Sequence, residues 1–175
     1  MPDLPDKSGL RTRILAARRT RPSPEREADD AQLVRHATEL VRGRGRITAY
    51  TPLRAEPGGP GLLPALYGTG ASVLLPVLRP DLDLSWALGS EELGVDAVRE
   101  AELLLIPAVA VDHRGVRLGR GGGSYDRALA RVPPATPIVA LLYADEVLPA
   151  LPAEPHDRRV TAVLTPSGLR HLPMV

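Results

Sequence analysis

The chain reads as an α/β domain on a mostly parallel sheet, and three observations carry that reading. Apolar runs of strand length recur at 72–77, 103–111, 137–143 and 160–165. They are continuous rather than alternating, as in strands covered on both faces. Stretches of helical periodicity lie between them, and strands alternating with helices build a parallel sheet through crossover connections.

Taken in order, residues 7–20 form a helix, with Leu10, Ile14 and Leu15 set among basic residues. Ser23-Pro24-Glu25 starts the next helix, serine as cap and proline at the first helical position. It runs to about Arg42, buries a stripe of Leu33, Val34, Ala37, Leu40 and Val41, and ends at Gly43-Arg44-Gly45. A short strand follows at 47–50 and a helix at 62–67. The run 72–77 is a buried strand, and 82–88 reads as an edge strand or irregular. Helical spacing covers 91–101, although Gly94 interrupts it. The central strand is 103–111, then come a helix at 122–131, a strand at 137–143, a short helix at 144–151 and a last strand at 160–165. No repeat or coiled-coil heptad is present.

The 175 residues suit one domain, 1–175, large enough for a real core. With no phenylalanine, Leu, Val, Ala and Ile must fill that core. The 19 prolines and 16 glycines are spread between apolar runs, which suits turns better than a disordered tract. Without cysteine there is no disulfide or thiolate metal site. No stretch approaches a membrane span and no signal peptide is visible, so a cytoplasmic protein is expected. A net charge of +1 argues against a strong nucleic-acid field, although Arg11, Arg13, Arg18, Arg19 and Arg21 cluster near the N-terminus. His36, His113, His156 and His171 show no pairing at metal-ligand spacing and read as surface or structural residues.

The string Arg117-Leu118-Gly119-Arg120-Gly121-Gly122-Gly123-Ser124-Tyr125-Asp126 carries the chemistry. It joins an apolar run to a helix start. Glycines expose backbone N–H groups and let an anion come close, a helix N-terminus adds partial positive charge, and arginines add planar donor forks. It is not a Walker A loop, because Gly-Lys-Ser/Thr is absent, and its consecutive glycines do not make a dinucleotide fingerprint. A flexible turn is the plain alternative. Yet a plain turn has no need of Arg117, Arg120 and Arg127 around one bend, and a phosphate site does. Of the 22 basic residues only Lys7 is lysine. Lys7 and Arg11 share one helix face, where like charges repel unless an anion sits between them. A solvated basic N-terminus is the other reading of that pair.

With these pieces in place, the chain resembles the 5-formyltetrahydrofolate cyclo-ligase (methenyltetrahydrofolate synthetase) family. Four segments carry the likeness, in the family's order: Lys7-x-x-Leu10-Arg11; Ala49-Tyr50 through Glu56-Pro57; Ile106-Pro107 through Asp112-x-x-Gly115-x-Arg117 to Asp126; and Glu154-x-x-Asp157 with Val160 to Pro166. The third is the specific one. The resemblance implies a three-layer α/β/α sandwich similar to the ribose-phosphate isomerase/CoA-transferase-like fold. It also implies an ATP- and Mg²⁺-dependent closure of 5-formyltetrahydrofolate to 5,10-methenyltetrahydrofolate, with release of ADP and phosphate. The expected partners are a reduced folate and ATP, with no nucleic acid and no membrane, and a monomer is expected.

The resemblance assigns roles to this chain's residues. Lys7 and Arg11 hold ATP phosphates together with Arg117, Leu118, Gly119, Arg120, Gly121, Gly122, Gly123, Ser124 and Tyr125. The stretch from Arg120 to Ser124 also meets the folate, with Glu56 on the pterin. Arg120 and Tyr125 are the catalytic pair, and Asp126 binds Mg²⁺ directly or through water. Plainer readings stand beside these: Asp126 as a carboxylate complementing a helix dipole, Glu56 as a turn residue beside Pro57, and Tyr125 as a half-buried core aromatic.

The sequence also departs from the family pattern. Ser124 stands where a first tyrosine is usual, and Gly58-Gly59 where a threonine is usual. Thr161 replaces a second acidic residue expected near the metal, and the segment 87–102 is shorter than its counterpart, which helps line the folate pocket. Other functions therefore stay open: a relative that binds nucleotide or folate without turnover, a ligase of another substrate on a related fold, and an arginine-rich polyanion binder.

Overall fold

The computed structural model describes residues 6–174. Helix α1 (Lys7–Thr20) is capped by Asp6, whose carboxylate accepts from the Gly9 N–H at 3.1 Å. Helix α2 (Ser23–Val41) starts one residue earlier than expected, with Pro22 at the cap, and fully buries Leu33, Ala37 and Val41. Strand β1 (Arg46–Thr48) follows, then α3 (Leu62–Tyr67), β2 (Ser72–Leu78), β3 (Leu84–Leu88) and β4 (Glu91–Gly94). Beyond a 3-10 turn at Val95–Glu100 come β5 (Leu103–Pro107), β6 (Ala110–Asp112), β7 (Arg117–Leu118) and α4 (Ser124–Leu129). The chain closes with β8 (Ile138–Leu141), β9 (Val147–Leu148), β10 (Ala162–Thr165) and β11 (Gly168–His171). No helix among the described residues is long and apolar enough to cross a membrane.

Eight strands form one sheet in the order β11-β10-β8-β5-β1-β2-β3-β4. Pairing is parallel from β10 through β8, β5 and β1 to β2, and antiparallel only toward the two edges. Helices α2 and α3 cover one face, where Leu33, Ala37, Val41, Leu62 and Leu66 pack on Ile47, Leu103 and Val139. The 3-10 turn and α4 cover the other, with Val98, Ala128 and Leu129 against Leu104, Ile106 and Ala140. The layers are those expected of an α/β/α sandwich. A second sheet, β7-β6-β9, rests on α1 through Leu10, Val109, Ala110, Val116 and Leu118.

Three expected elements take another form. The run 103–111 is not one strand. The chain leaves the large sheet after Pro107 and re-enters order at Ala110 in the small one, while staying buried almost throughout. The stretch 91–101 divides at Gly94, whose φ of 93° no helix accepts, into β4 and the 3-10 turn. Residues 144–151 give a three-residue 3-10 turn and β9, which pairs with β6 instead of coiling.

Two ionic ties hold the sandwich from within. Arg18 and Glu146 are both 3 % exposed. Arg18 Nε donates to Oε1 at 2.7 Å and Nη2 to Oε2 at 2.9 Å, while Nη2 also reaches the Ala108 carbonyl at 2.6 Å. The pair thus ties α1 to the end of β5 and to the turn after β8. Asp112, wholly buried, accepts from the Arg114, Val116 and Leu151 N–H groups and from the Arg114 guanidinium. Burial pushes its carboxyl up, but these bonds prevail and hold it below the usual carboxylate range.

Candidate active site

Strand order reverses between β1 and β5. From β1 the chain steps to β2 on one side, and from β5 to β8 on the other. The connecting helices α3 and α4 therefore lie on opposite faces, and a crevice opens at the carboxyl ends of β1 and β5. A cleft of about 600 Å³ occupies that place, bounded by Tyr50 and Thr51 after β1 and by Pro107, Ala108 and Val109 after β5.

The arginine–glycine loop forms its floor. Every position from Arg117 to Asp126 lines the cleft, as do Lys7, Arg11 and Glu56. Sequence reasoning had drawn these residues from three separate segments, and the fold brings all of them to one cavity. Arg11 Nε donates to the Gly119 carbonyl at 2.7 Å, so α1 grips the loop. Gly121 at φ 107° and Gly123 at φ 74° need glycine for their backbone alone. At Gly119 a Cβ would lie 3.0 Å from Arg117 Nη1, so a side chain there requires the guanidinium to give by a few tenths of an ångström.

Arg117 is pinned beneath the loop. Its Nη1 donates to the Pro107 carbonyl at 3.2 Å and its Nη2 to Asp126 Oδ1 at 3.2 Å, and its guanidinium lies 5.5 Å from the Tyr125 ring centre. The Asp126 side chain is 60 % exposed. Helix α4 has only six residues, so the arginines rather than a helix dipole supply most of the positive charge.

Arg120 and Glu56 meet across the cleft. Arg120 Nε and Nη2 both donate to Glu56 Oε1, at 3.3 and 3.1 Å. That uses two of the five guanidinium N–H groups and leaves three for a ligand. Arg120 is 47 % exposed and Glu56 only 6 %. The other carboxylate oxygen, Oε2, accepts from the Leu53 N–H at 2.7 Å. Glu56 is thus a turn residue and a cleft carboxylate at once.

Tyr125 packs edge-on against Trp86 with ring centres 6.4 Å apart. Its hydroxyl is buried without a hydrogen-bond partner. Burial pushes that phenol well above its usual range, so it stays a proton donor. It is both core aromatic and cleft residue.

Thr161 is no cleft residue: its hydroxyl donates to the Ile138 carbonyl at 3.1 Å and accepts from the Ile138 N–H at 2.9 Å, at the start of β8. Asp157 lines the cleft, as Asp126 does. Asp157 ends the Glu154-x-x-Asp157 string, whose spacing alone does not mark it as a cleft residue. Among the described residues Glu154, His156 and Asp157 bring ligand-type atoms within 4.8 Å of one another, a local pairing that the histidine spacing did not suggest. His156 and Glu154 are both exposed, and only Asp157 of the three faces the cleft. No residue between Leu84 and Pro107 lines the cleft, so the short 87–102 segment contributes no wall. Leu53, Leu78 and Leu84 form an apolar side that sequence reasoning missed.

The profile of the 5-formyltetrahydrofolate cyclo-ligase family matches residues 3–166. A 5-formyltetrahydrofolate cyclo-ligase of Mycolicibacterium smegmatis is 40 % identical over 182 aligned positions, covering 91 % of this chain and 93 % of that one. Two solved methenyltetrahydrofolate synthetases share the fold. The one from Mycoplasma pneumoniae has a TM-score of 0.81 at 20 % identity, covering 93 % of this chain and 99 % of its own. The one from Aquifex aeolicus has a TM-score of 0.73 at 23 % identity, covering 97 % and 94 %. With the profile spanning nearly the whole sequence and the signature loop lining the switch-point cleft, the chain belongs to the 5-formyltetrahydrofolate cyclo-ligase family.

Proposed function

We propose that the protein closes 5-formyltetrahydrofolate to 5,10-methenyltetrahydrofolate, consuming ATP with Mg²⁺ and releasing ADP and phosphate. The observation that carries the reading is the arginine–glycine loop at the switch-point cleft, with Arg120 free on one edge and braced by Glu56 on the other. A formamide oxygen is a poor leaving group. In the proposed sequence it attacks the γ-phosphorus, and ADP departs with the electrons of the broken P–O bond. The neighbouring amine nitrogen then attacks the formyl carbon and loses its proton. The phosphate leaves with the C–O electron pair, and the methenyl bridge remains. No step needs a protein nucleophile, so positioning and charge stabilisation are the protein's whole task.

Each cleft residue has a part in this. Lys7 and Arg11 meet the phosphates from α1, and the loop's glycines let them approach its backbone. The three remaining Arg120 N–H groups stabilise charge on the transferred phosphoryl group. The Tyr125 ring walls the cleft beside the reacting oxygens, and Ser124 adds a hydroxyl. Glu56 orients the pterin, with Leu53, Leu78 and Leu84 against the apolar part of the substrate. Hard oxygen donors suit magnesium, which keeps waters and binds through one or two carboxylates plus phosphate. Asp126 and Asp157 are the carboxylates that would hold it. When bound, the ion neutralises part of the phosphate charge. The reading is of a monomeric cytoplasmic enzyme whose partners are a reduced folate and ATP.

The test is methenyl-folate absorbance with 5-formyltetrahydrofolate, Mg²⁺ and ATP, run alongside Arg120→Ala. ATP-dependent growth that falls by a factor of about 100 or more in the variant is the expected result. Folate binding with no turnover would instead identify a non-catalytic relative, the reading favoured by the missing 87–102 wall.

A further inference from the structure

The turn that presents Glu56 is not held by its own bonds alone. Ala55, Gly58 and Gly59 have φ of 69°, 106° and 58°, an unusual density of left-handed backbone for one loop. Inside the turn, Glu56 N–H donates to the Leu53 carbonyl at 2.9 Å and Gly59 N–H to the Glu56 carbonyl at 3.4 Å. Two side chains from elsewhere complete it. Tyr50 donates its hydroxyl to the Pro57 carbonyl at 3.0 Å. From α2, Asp30 Oδ1 accepts the Gly58 N–H at 3.0 Å.

Asp30 is in turn held from the far side. The same Oδ1 accepts the Tyr143 hydroxyl at 2.8 Å. Tyr143 is fully buried beyond the end of β8, and the Arg21 guanidinium covers its ring at 4.2 Å. The fit is close: a Cβ on Gly59 would lie 2.7 Å from Asp30 Oδ2. Asp30 itself does not line the cleft. Its carboxylate is joined to Glu56 only through the backbone of the turn.

We propose that Asp30, oriented by Tyr143, is a positioning residue for the folate half of the site. It fixes the Gly58 peptide and so sets where the Glu56 carboxylate meets Arg120 and the substrate. The inference rests on the proposed role of Glu56. Losing Asp30 should let the turn relax and cost what losing the Glu56 carboxylate costs, in folate affinity and in the bracing of Arg120, while Arg11 still grips the loop at Gly119.

A double-mutant cycle tests this with Glu56→Gln, Asp30→Ala, the double variant and Asp30→Asn, reading the KM for 5-formyltetrahydrofolate, the KM for ATP, kcat and Tm. Expected are a rise of roughly tenfold in folate KM for Asp30→Ala, and an ATP KM that stays within about twofold. Asparagine keeps the accepting oxygen, so Asp30→Asn should restore most of the folate affinity. In the Glu56→Gln background Asp30→Ala should add little. If the two substitutions multiply, or if both KM values rise together, Asp30 is only structural and the inference is overturned. If Glu56→Gln alone changes nothing, the role of Glu56 fails first, a separate result. Should Asp30→Ala not fold, Tyr143→Phe removes the orienting hydroxyl and leaves the ring under Arg21. It should raise folate KM in the same selective way, and an unchanged folate KM would overturn the inference.

Discussion

Arg18→Met tests the internal wiring of the sandwich. The substitution keeps most of the side-chain volume but strips three bonds from a dry site: those to both Glu146 oxygens and that to the Ala108 carbonyl. Glu146 would keep only the Tyr143 N–H, which donates to Oε2 at 3.0 Å. Breaking a buried pair from one side costs about 3–5 kcal/mol, because the partner's charge stays buried and uncompensated. At about 2–4 °C per kcal/mol for a domain of this size, Tm should fall by roughly 6–20 °C. The pH dependence has a definite sign. Burial pushes the Glu146 carboxyl up and Arg18 opposes that shift. Without Arg18 only the Tyr143 N–H still opposes that shift, and the folded-state value rises further. A carboxyl raised in the folded state contributes stability at low pH that is lost as pH rises through its folded value. The variant's deficit should therefore be smaller at pH 5 than at pH 8. Urea melts at both pH values, with Glu146→Gln and the double variant, give the answer. The double variant should be more stable than the sum of the singles predicts, since glutamine removes the stranded charge and keeps an acceptor for Tyr143. A loss under about 1 kcal/mol in Arg18→Met, or strict additivity, would refute the argument.

Three further outcomes are expected. Gly119→Ala places a Cβ 3.0 Å from Arg117 Nη1, and displacing a pinned guanidinium by overpacking costs about 1–3 kcal/mol; the effect should appear as a raised KM for ATP, by roughly tenfold. Asp126→Asn should raise the Mg²⁺ concentration for half-maximal rate by roughly tenfold, the order of one charge-assisted contact, while circular dichroism stays unchanged. Asp83, bonded by both terminal nitrogens of Arg131 at 2.8 and 2.6 Å, has its carboxyl lowered to about 2 by those hydrogen bonds. A depressed carboxyl stabilises above its unfolded value and loses that contribution as pH falls through the folded one. Asp83→Asn should therefore flatten the acid limb of the stability profile between about pH 4 and pH 2.

What the sequence made legible follows from how local each signal is. Helix α1 and α3 were read to the residue, because apolar spacing and flanking breakers lie within each segment. The parallel core was legible because strands buried on both faces write themselves as apolar runs. The break at Pro107 was not, since the chain passes from one sheet to the other while remaining buried. Strands β7, β9 and β11 span two to four residues and owe their form to partners, not to their own pattern. In the cleft, the charged loop could be found from residue types alone. Leu53, Leu78 and Leu84 could not, because each is an ordinary leucine until the β2–β3 hairpin and the Tyr50 turn bring them together.

The lone lysine has a practical consequence. Lys7 is the only lysine side chain in the protein, and it borders the cleft. An amine-directed fluorophore, added to protein whose α-amino group is already blocked, would attach beside the arginine–glycine loop and nowhere else along the chain. A nucleotide in the cleft would shield that position, so the labelling rate would report occupancy directly. A lysine-specific protease would likewise meet one cleavable bond, between Lys7 and Ser8 in the first turn of α1, and its rate would time the fraying of the helix that grips the loop.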